Sequence, residues 1–227
     1  MKTNSTRARI KESLDKNKQY YINNAIPIVI KDKFLSDDID IQEFVEDMET
    51  IIPQHLLQNI EIIYIGDFPG FSNQTAAFSD GAIYISNKEM TNYDILEDTI
   101  HEIAHAVEPV YASTIYDNGL LKNEFLSKRK KLQSLLDAEG YKIPEKYYTN
   151  SEYSQEFDNF LSDVVGYPTL LSLTMGLFVS PYGATSLQEY FANGFEKFYL
   201  EDAKLVKDVS PVLYNILYSL HTIESDY

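Results

Sequence analysis

Apolar positions along the chain switch from a strand-like to a helix-like spacing as the sequence proceeds. Ile26 to Ile30 (Ile-Pro-Ile-Val-Ile) is a short apolar run suited to a buried strand, and the β-branched Ile60 to Ile65 predicts a second strand. Between them, Ile41, Phe44, Val45, Met48 and Ile52 recur at helical spacing, and Pro53 closes that helix. Ala76 to Phe78 and Ala82 to Ser86 flank Ser79-Asp80-Gly81, and an Asp-Gly pair between two such runs predicts a hairpin. From Thr91 onward the pattern is helical. Thr91 can cap a helix with Asp94 in its first turn, and Leu96, Ile100, Ile103 and Val107 form its buried stripe up to a stop at Pro109. Residues 121–138 and 151–165 predict two more helices. Thr185 or Ser186 caps another that runs to about Leu200, and Ser210-Pro211 starts the last. Strands first and helices afterwards predict an α+β fold, a small mixed sheet packed on a mainly helical body.

Composition fits that picture. The chain has 227 residues, 44% apolar and 24% charged, enough for one sizeable core. The net charge of −16 argues against nucleic-acid and anionic-membrane partners. It is unevenly spread. Residues 1–20 carry Lys2, Arg7, Arg9, Lys11, Lys16 and Lys18 against Glu12 and Asp15, a net of +4, which leaves −20 on the rest. Residues 1–25 therefore read as a basic N-terminal arm and 26–227 as a single domain. The absence of Cys excludes disulfides and thiolate metal sites. No apolar segment follows the basic residues, so no secretory signal is expected, and the default location is cytoplasmic, with non-classical delivery or a phage particle as alternatives. The most apolar stretch, Thr169 to Val179, is too short to span a bilayer and reads as a buried helix or a cleft wall.

The chemistry concentrates in His101-Glu102-Ile103-Ala104-His105. Residues four apart on a helix point the same way, so His101 and His105 can bind one zinc ion through two imidazoles. Glu102 sits where a carboxylate can take a proton from an attacking water without ligating the metal. Each ligating imidazole needs an acceptor on its second nitrogen, and Asp98 and Glu108 are candidates on the same side of the helix.

A catalytic zinc needs a third protein ligand, which a straight helix cannot supply. The metzincin continuation, with a Gly and a third His, is excluded by Glu108 and Tyr111 at those positions. His55 and His221 lack supporting context. The acidic candidates on later segments are Glu124, Glu145, Glu152, Glu156, Glu189, Glu196 and Glu201. Glu189 stands out because its helix presents Leu187, Tyr190, Phe191, Phe195 and Phe198 for burial, and a ligand needs a rigid support. Ser186 and Glu189 also form a capping-box pattern, which explains the same Glu without a metal.

The stretch Ser180-Pro-Tyr-Gly-Ala-Thr-Ser-Leu-Gln-Glu-Tyr-Phe-Ala-Asn-Gly-Phe-Glu resembles the family of the anthrax lethal factor C-terminal catalytic domain and the Pro-Pro endopeptidases. The resemblance covers roughly residues 60–108 and 180–225. It implies a zincin-like fold, one catalytic Zn2+ held by His101, His105 and Glu189, Glu102 as general base, and Tyr182 with its hydroxyl facing the scissile carbonyl. It also implies that residues 76–86 include an edge strand that pairs with an extended peptide substrate. Residues 110–179 fall outside the resemblance and read as inserted helices. Asn193 stands where lethal factor carries a second acid. The function expected is a zinc metalloendopeptidase. The alternatives are a non-catalytic zinc-binding scaffold or interaction protein that retains the fold, and a metal-dependent hydrolase of a non-peptide bond.

Overall fold

The computed structural model describes residues 19–70 and 75–223. It is an α+β fold, as the order of periodicities predicts. Strands β1 (Tyr20–Ile22), β2 (Ile26–Ile30), β3 (Ile62–Gly66), β4 (Ala76–Ser79) and β5 (Ala82–Ser86) form one five-stranded mixed sheet in the order β1-β2-β3-β5-β4. The central pairs β2–β3 and β3–β5 are parallel, and the two outer pairs are antiparallel. Most of the proposed basic arm lies outside the described residues. Tyr20–Ile22, however, pairs with Ile26–Ile28 and so belongs to the sheet, which moves the body's boundary back from residue 26.

Alternation along the strands fixes which face is covered. Ile28, Ile63, Ile65, Ile83 and Ile85 are all buried. The opposite face carries Tyr64 stacked on Tyr84, with ring centroids 5.4 Å apart. Of the apolar run in β2, Ile26 and Ile28 are buried, Val29 is exposed on the opposite face, and Ile30, although on the same face as Ile28, is exposed at the end of the strand. The β4–β5 turn places both Asp80 (φ 49°) and Gly81 (φ 78°) in the left-handed region. A two-residue hairpin of this twist requires that pair of conformations, which Asp-Gly supplies at low cost.

Two helices pack against the sheet. In α1 (Ile41–Ile51), Asp40 caps the first turn by accepting from the Gln42 and Glu43 amides, and Ile41, Phe44, Val45 and Met48 face the core. Helix α2 (Asn92–Val110) carries the histidine motif. Its capping box is complete: Thr91 accepts from the Asp94 amide, and the Asp94 carboxylate accepts from the Thr91 amide. The predicted stripe of Leu96, Ile100, Ile103 and Val107 is buried. The helix does not stop at Pro109 but continues to Val110, closed by Tyr111 N donating to Val107 O at 3.0 Å. Proline in the last turn removes only one intrahelical bond, a loss the chain end tolerates.

Residues 110–179 are mainly helical: α3 (Ala112–Tyr116), α4 (Leu120–Ala138), α5 (Lys146–Thr149), α6 (Gln155–Asn159), a π-helical turn (Phe160–Val165) and α7 (Tyr167–Thr174). The helix expected over 151–165 starts later. Ser154 caps it at Phe157 N, while the Ser151 carbonyl accepts from Leu187 N at 2.8 Å and so is engaged elsewhere. The apolar Thr169–Val179 segment is only half covered: Leu170, Thr174 and Phe178 are buried, and Leu171 and Met175 face solvent. Helix α8 (Leu187–Leu200), capped by Ser186, lies along α2. Helices α9 (Ala203–Val209) and α10 (Pro211–His221) complete the body. Gly194 of α8 leaves room for Leu213 of α10; a Cβ there would meet Leu213 Cδ2 at 2.2 Å. Among the described residues, no helix is long and apolar enough to cross a membrane.

Candidate metal centre and active site

The site forms where α2 meets α8 beneath the edge strand β4. Four-residue spacing puts His101 and His105 on one face of α2, with ring centroids 5.1 Å apart. Glu189 enters from the first turn of α8. Its Oε2 lies 3.2 Å from His101 Nε2, and its Oε1 lies 3.7 Å from His105 Nε2. One ligand atom from each of the three residues falls within 4.8 Å of the others, a grouping able to hold a metal ion.

The other nitrogen of each imidazole has its own carboxylate. His101 Nδ1 is 3.2 Å from Glu196 Oε2, and His105 Nδ1 is 3.2 Å from Glu108 Oε2. Glu108 is in turn held by the Tyr116 hydroxyl. Carboxylates at Nδ1 favour the tautomer with the proton there, so that in the neutral imidazoles both Nε2 lone pairs would be free for a metal ion held together with Glu189. Two imidazole lone pairs and a carboxylate suit a borderline divalent ion such as zinc. The electrostatics agree with a cation at this point. Burial lowers the pKa of His101, but its hydrogen bonds to Glu189 and Glu196 overturn that and hold it at about 10. His105 is opposed by burial in the same way and raised by Glu108 and Glu189. The acidic surroundings therefore favour positive charge between these groups, as a proton or as a metal that displaces it.

Glu102 points to the other side of the cleft. Its Oε2 accepts from the Phe78 amide of β4 at 2.7 Å. Burial raises its pKa, the two imidazoles and the Phe78 amide pull it back, and the net shift is upward. A carboxylate moved toward neutrality is better matched to proton transfer near pH 7. Tyr182 sits on a short 3-10 turn (Tyr182–Ala184) before α8. Burial and then the Glu189 charge raise its pKa, which keeps its hydroxyl protonated. These side chains line one cleft of about 450 Å³, together with Thr75–Phe78 of the edge strand and Glu97, Asp98 and Glu196.

The structure thus brings together His101, Glu102, His105, Tyr182 and Glu189. The other third-ligand candidates separate. Glu124 accepts from Tyr190 Oη and from the Val212 and Leu213 amides, capping α10. Glu156 holds the Tyr147 hydroxyl, and Glu201 pairs with Lys197. Glu196 reaches the site, but as the partner of His101 rather than beside Glu189. Of the two outer carboxylates expected, Glu108 is in place, and Asp98 is not. Asp98 bonds neither imidazole and leaves its buried Oδ2 without a partner; burial and then the Asp98 charge push the neighbouring Glu89 up to about 7. The role of Glu196 follows from its position seven residues after Glu189, two turns along the same face of α8, a spacing visible in the sequence. Asn193 ties α8 down: its Nδ2 donates to Glu189 O at 2.8 Å, and its Oδ1 accepts from Ser180 Oγ. His55 and His221 line a separate cavity of about 780 Å³ beside Asn23 and Pro53. Comparison of the chain with protein-family models, with curated proteins and with solved structures finds no match.

Proposed function

We propose that this protein is a zinc-dependent endopeptidase with a zincin-like fold, resembling the lethal factor catalytic domain and the Pro-Pro endopeptidases. The observation that carries the reading is the convergence of His101 Nε2 and His105 Nε2 on the Glu189 carboxylate, with Glu102 one residue after the first histidine and tied to an edge strand. His101, His105 and Glu189 would hold the ion. Zinc held there supplies Lewis acidity, which polarises a carbonyl and makes water acidic enough to deprotonate near neutral pH.

The protein's own groups do the rest. Glu102 accepts the proton of the attacking water and later delivers it to the leaving amine. The Tyr182 hydroxyl donates to the oxyanion that develops on the scissile carbonyl. Glu196 and Glu108 fix the tautomers of the two histidines. The substrate lies extended along β4. Thr75 O accepts from Ser86 N at 2.7 Å, so across that peptide plane the Ala76 N–H faces away from β5. The Phe78 amide faces the same way, toward Glu102. The Ala76 N–H and the Ala76 and Phe78 carbonyls are therefore directed at the cleft, where a peptide adds as a further strand.

Metal analysis and digestion of a peptide library test the reading. Wild type is expected to carry about one zinc per chain and to cleave peptides in a chelator-sensitive way. Glu102→Ala should keep the metal and lose cleavage. Normal cleavage by Glu102→Ala overturns the mechanism, and bound zinc without any cleavage by wild type assigns a non-catalytic scaffold instead.

A further inference from the structure

Helix α4 lies in the part of the chain that the family resemblance does not cover, yet it sends one side chain to the active-site turn. Arg129 is 1% exposed. Its Nη1 donates to the Ala184 carbonyl at 2.7 Å and to the Thr185 carbonyl at 3.1 Å. Its Nη2 donates to Asn150 O at 3.0 Å and to Tyr147 O. The guanidinium carbon stands 4.2 Å from the Phe157 ring centroid and 5.0 Å from that of Phe125. Among the described residues, no carboxylate forms an ion pair with it. A buried cation held only by carbonyls and ring faces is expensive to desolvate, and an apolar side chain of similar length would fill the space more cheaply.

Two of the four carbonyls it holds, those of Ala184 and Thr185, sit between the two site residues that come from outside α2. Tyr182 precedes Ala184 by two positions, and Glu189 follows Thr185 by four. Thr185 transmits the anchor backward: its amide and its Oγ1 donate to the Tyr182 carbonyl at 3.0 and 2.8 Å. Ser186 transmits it forward by accepting from the Glu189 amide at 3.0 Å, which starts α8. Planar, forked donors suit this task because one group fixes several carbonyls in set directions, which an ammonium cannot match.

We propose that Arg129 is a positioning residue for the candidate active site, setting Tyr182 and Glu189 through the 182–186 turn. Residues 110–179 then act as a buttress for the catalytic turn rather than as a neutral insertion. The inference rests on the peptidase reading for its kinetic consequence, but not for its structural one.

The test compares wild type, Arg129→Met and Arg129→Lys as purified. In Arg129→Met, amide hydrogen exchange should rise across residues 180–190 and stay unchanged across residues 92–110 of α2. Zinc affinity, read by competition with a chelator, should fall about tenfold, and kcat should fall about tenfold or more with KM within about threefold, since small misplacements of catalytic groups act on the transition state. Arg129→Lys should recover part of each loss. Unchanged exchange over 180–190 in a folded Arg129→Met overturns the proposal, as does a lowered Tm with unchanged kcat. If Arg129→Met does not fold, the same readouts on Arg129→Lys decide. If wild type cleaves no peptide, the peptidase reading fails, and exchange and zinc affinity still decide the role of Arg129.

Discussion

Replacing Ala76 by proline probes the edge strand while leaving the candidate metal ligands intact. Ala76 begins β4 at the outer edge of the sheet, and its N–H faces the cleft because the preceding carbonyl is taken by Ser86 N. Proline removes that N–H. The first position of an edge strand tolerates it, since no ladder bond is lost. The lost bond to a substrate carbonyl is worth about 0.5–1.5 kcal/mol. The ring carbon in place of the hydrogen also keeps a substrate strand from closing to the usual spacing of about 4.8 Å. Together these predict a fall in kcat/KM of about tenfold or more, from about 1.4 kcal/mol. Tm should move by no more than about 2 °C, corresponding to less than about 1 kcal/mol for a chain of this size. Ala77→Pro is the control. Its N–H, one residue on, faces β5, so its loss should cost about 1–3 kcal/mol of stability through the ladder. Cleavage of a fluorogenic peptide and thermal melts read both variants. A folded Ala76→Pro protein with wild-type kcat/KM refutes substrate addition along β4.

Three further outcomes follow from other parts of the molecule. Glu196→Ala and Glu108→Ala each strip one imidazole of its Nδ1 partner and should weaken zinc binding about 10- to 100-fold; chelator competition that finds wild-type affinity counts against both roles. Glu89, raised from 4.5 to about 7 by burial and Asp98, binds its proton more tightly when folded, so its contribution is fully present below about pH 4.5 and is lost as pH rises toward about 7. The unfolding free energy from urea melts should therefore fall from pH 5 to pH 8, by on the order of 1 kcal/mol after solvent screening, and Glu89→Gln should flatten that slope; an equal slope in the variant removes Glu89 as its source. Gly194→Ala gains about 1 kcal/mol of helix propensity but drives a Cβ to 2.2 Å from the buried Leu213 Cδ2, so a net loss of about 1–2 kcal/mol is expected in a denaturant melt.

The parts of this molecule that could be read from sequence are those whose cause is local. The helical register of His101 and His105, the Thr91–Asp94 capping box and the Asp80-Gly81 turn each depend on residues a few positions apart, and all three appear where spacing places them. The stripe of α2 was legible for the same reason. Of the expectations that failed, one has a local cause and two a tertiary one. Pro109 signals a stop, but it falls where the helix has few bonds left to lose. The helix expected from residue 151 begins after Ser154, because the Ser151 carbonyl serves Leu187 and the Asn150 carbonyl serves Arg129. Asp98 lies on the expected side of α2 and still bonds neither imidazole, acting instead through its charge on Glu89.

The same division explains why the third ligand was the hardest residue to place from spacing. A capping glutamate and a metal ligand make identical demands on the local sequence, so the Ser186–Glu189 pattern carries both meanings. Here one residue is able to serve both roles, through different atoms. The Glu189 amide is taken by Ser186 Oγ, while its carboxylate faces both Nε2 atoms. A Glu189 carboxylate serving only the cap would fold back toward the Ser186 amide. Instead the first turn of α8 is fixed by Ser186 and, through Thr185, by Arg129, which frees the carboxylate for the histidines. Burying an arginine without a carboxylate partner makes sense in that setting. The cleft already holds Glu97, Asp98, Glu102, Glu189 and Glu196, and a turn anchored through carbonyls rather than by another acid adds no further like-charge repulsion to that cluster.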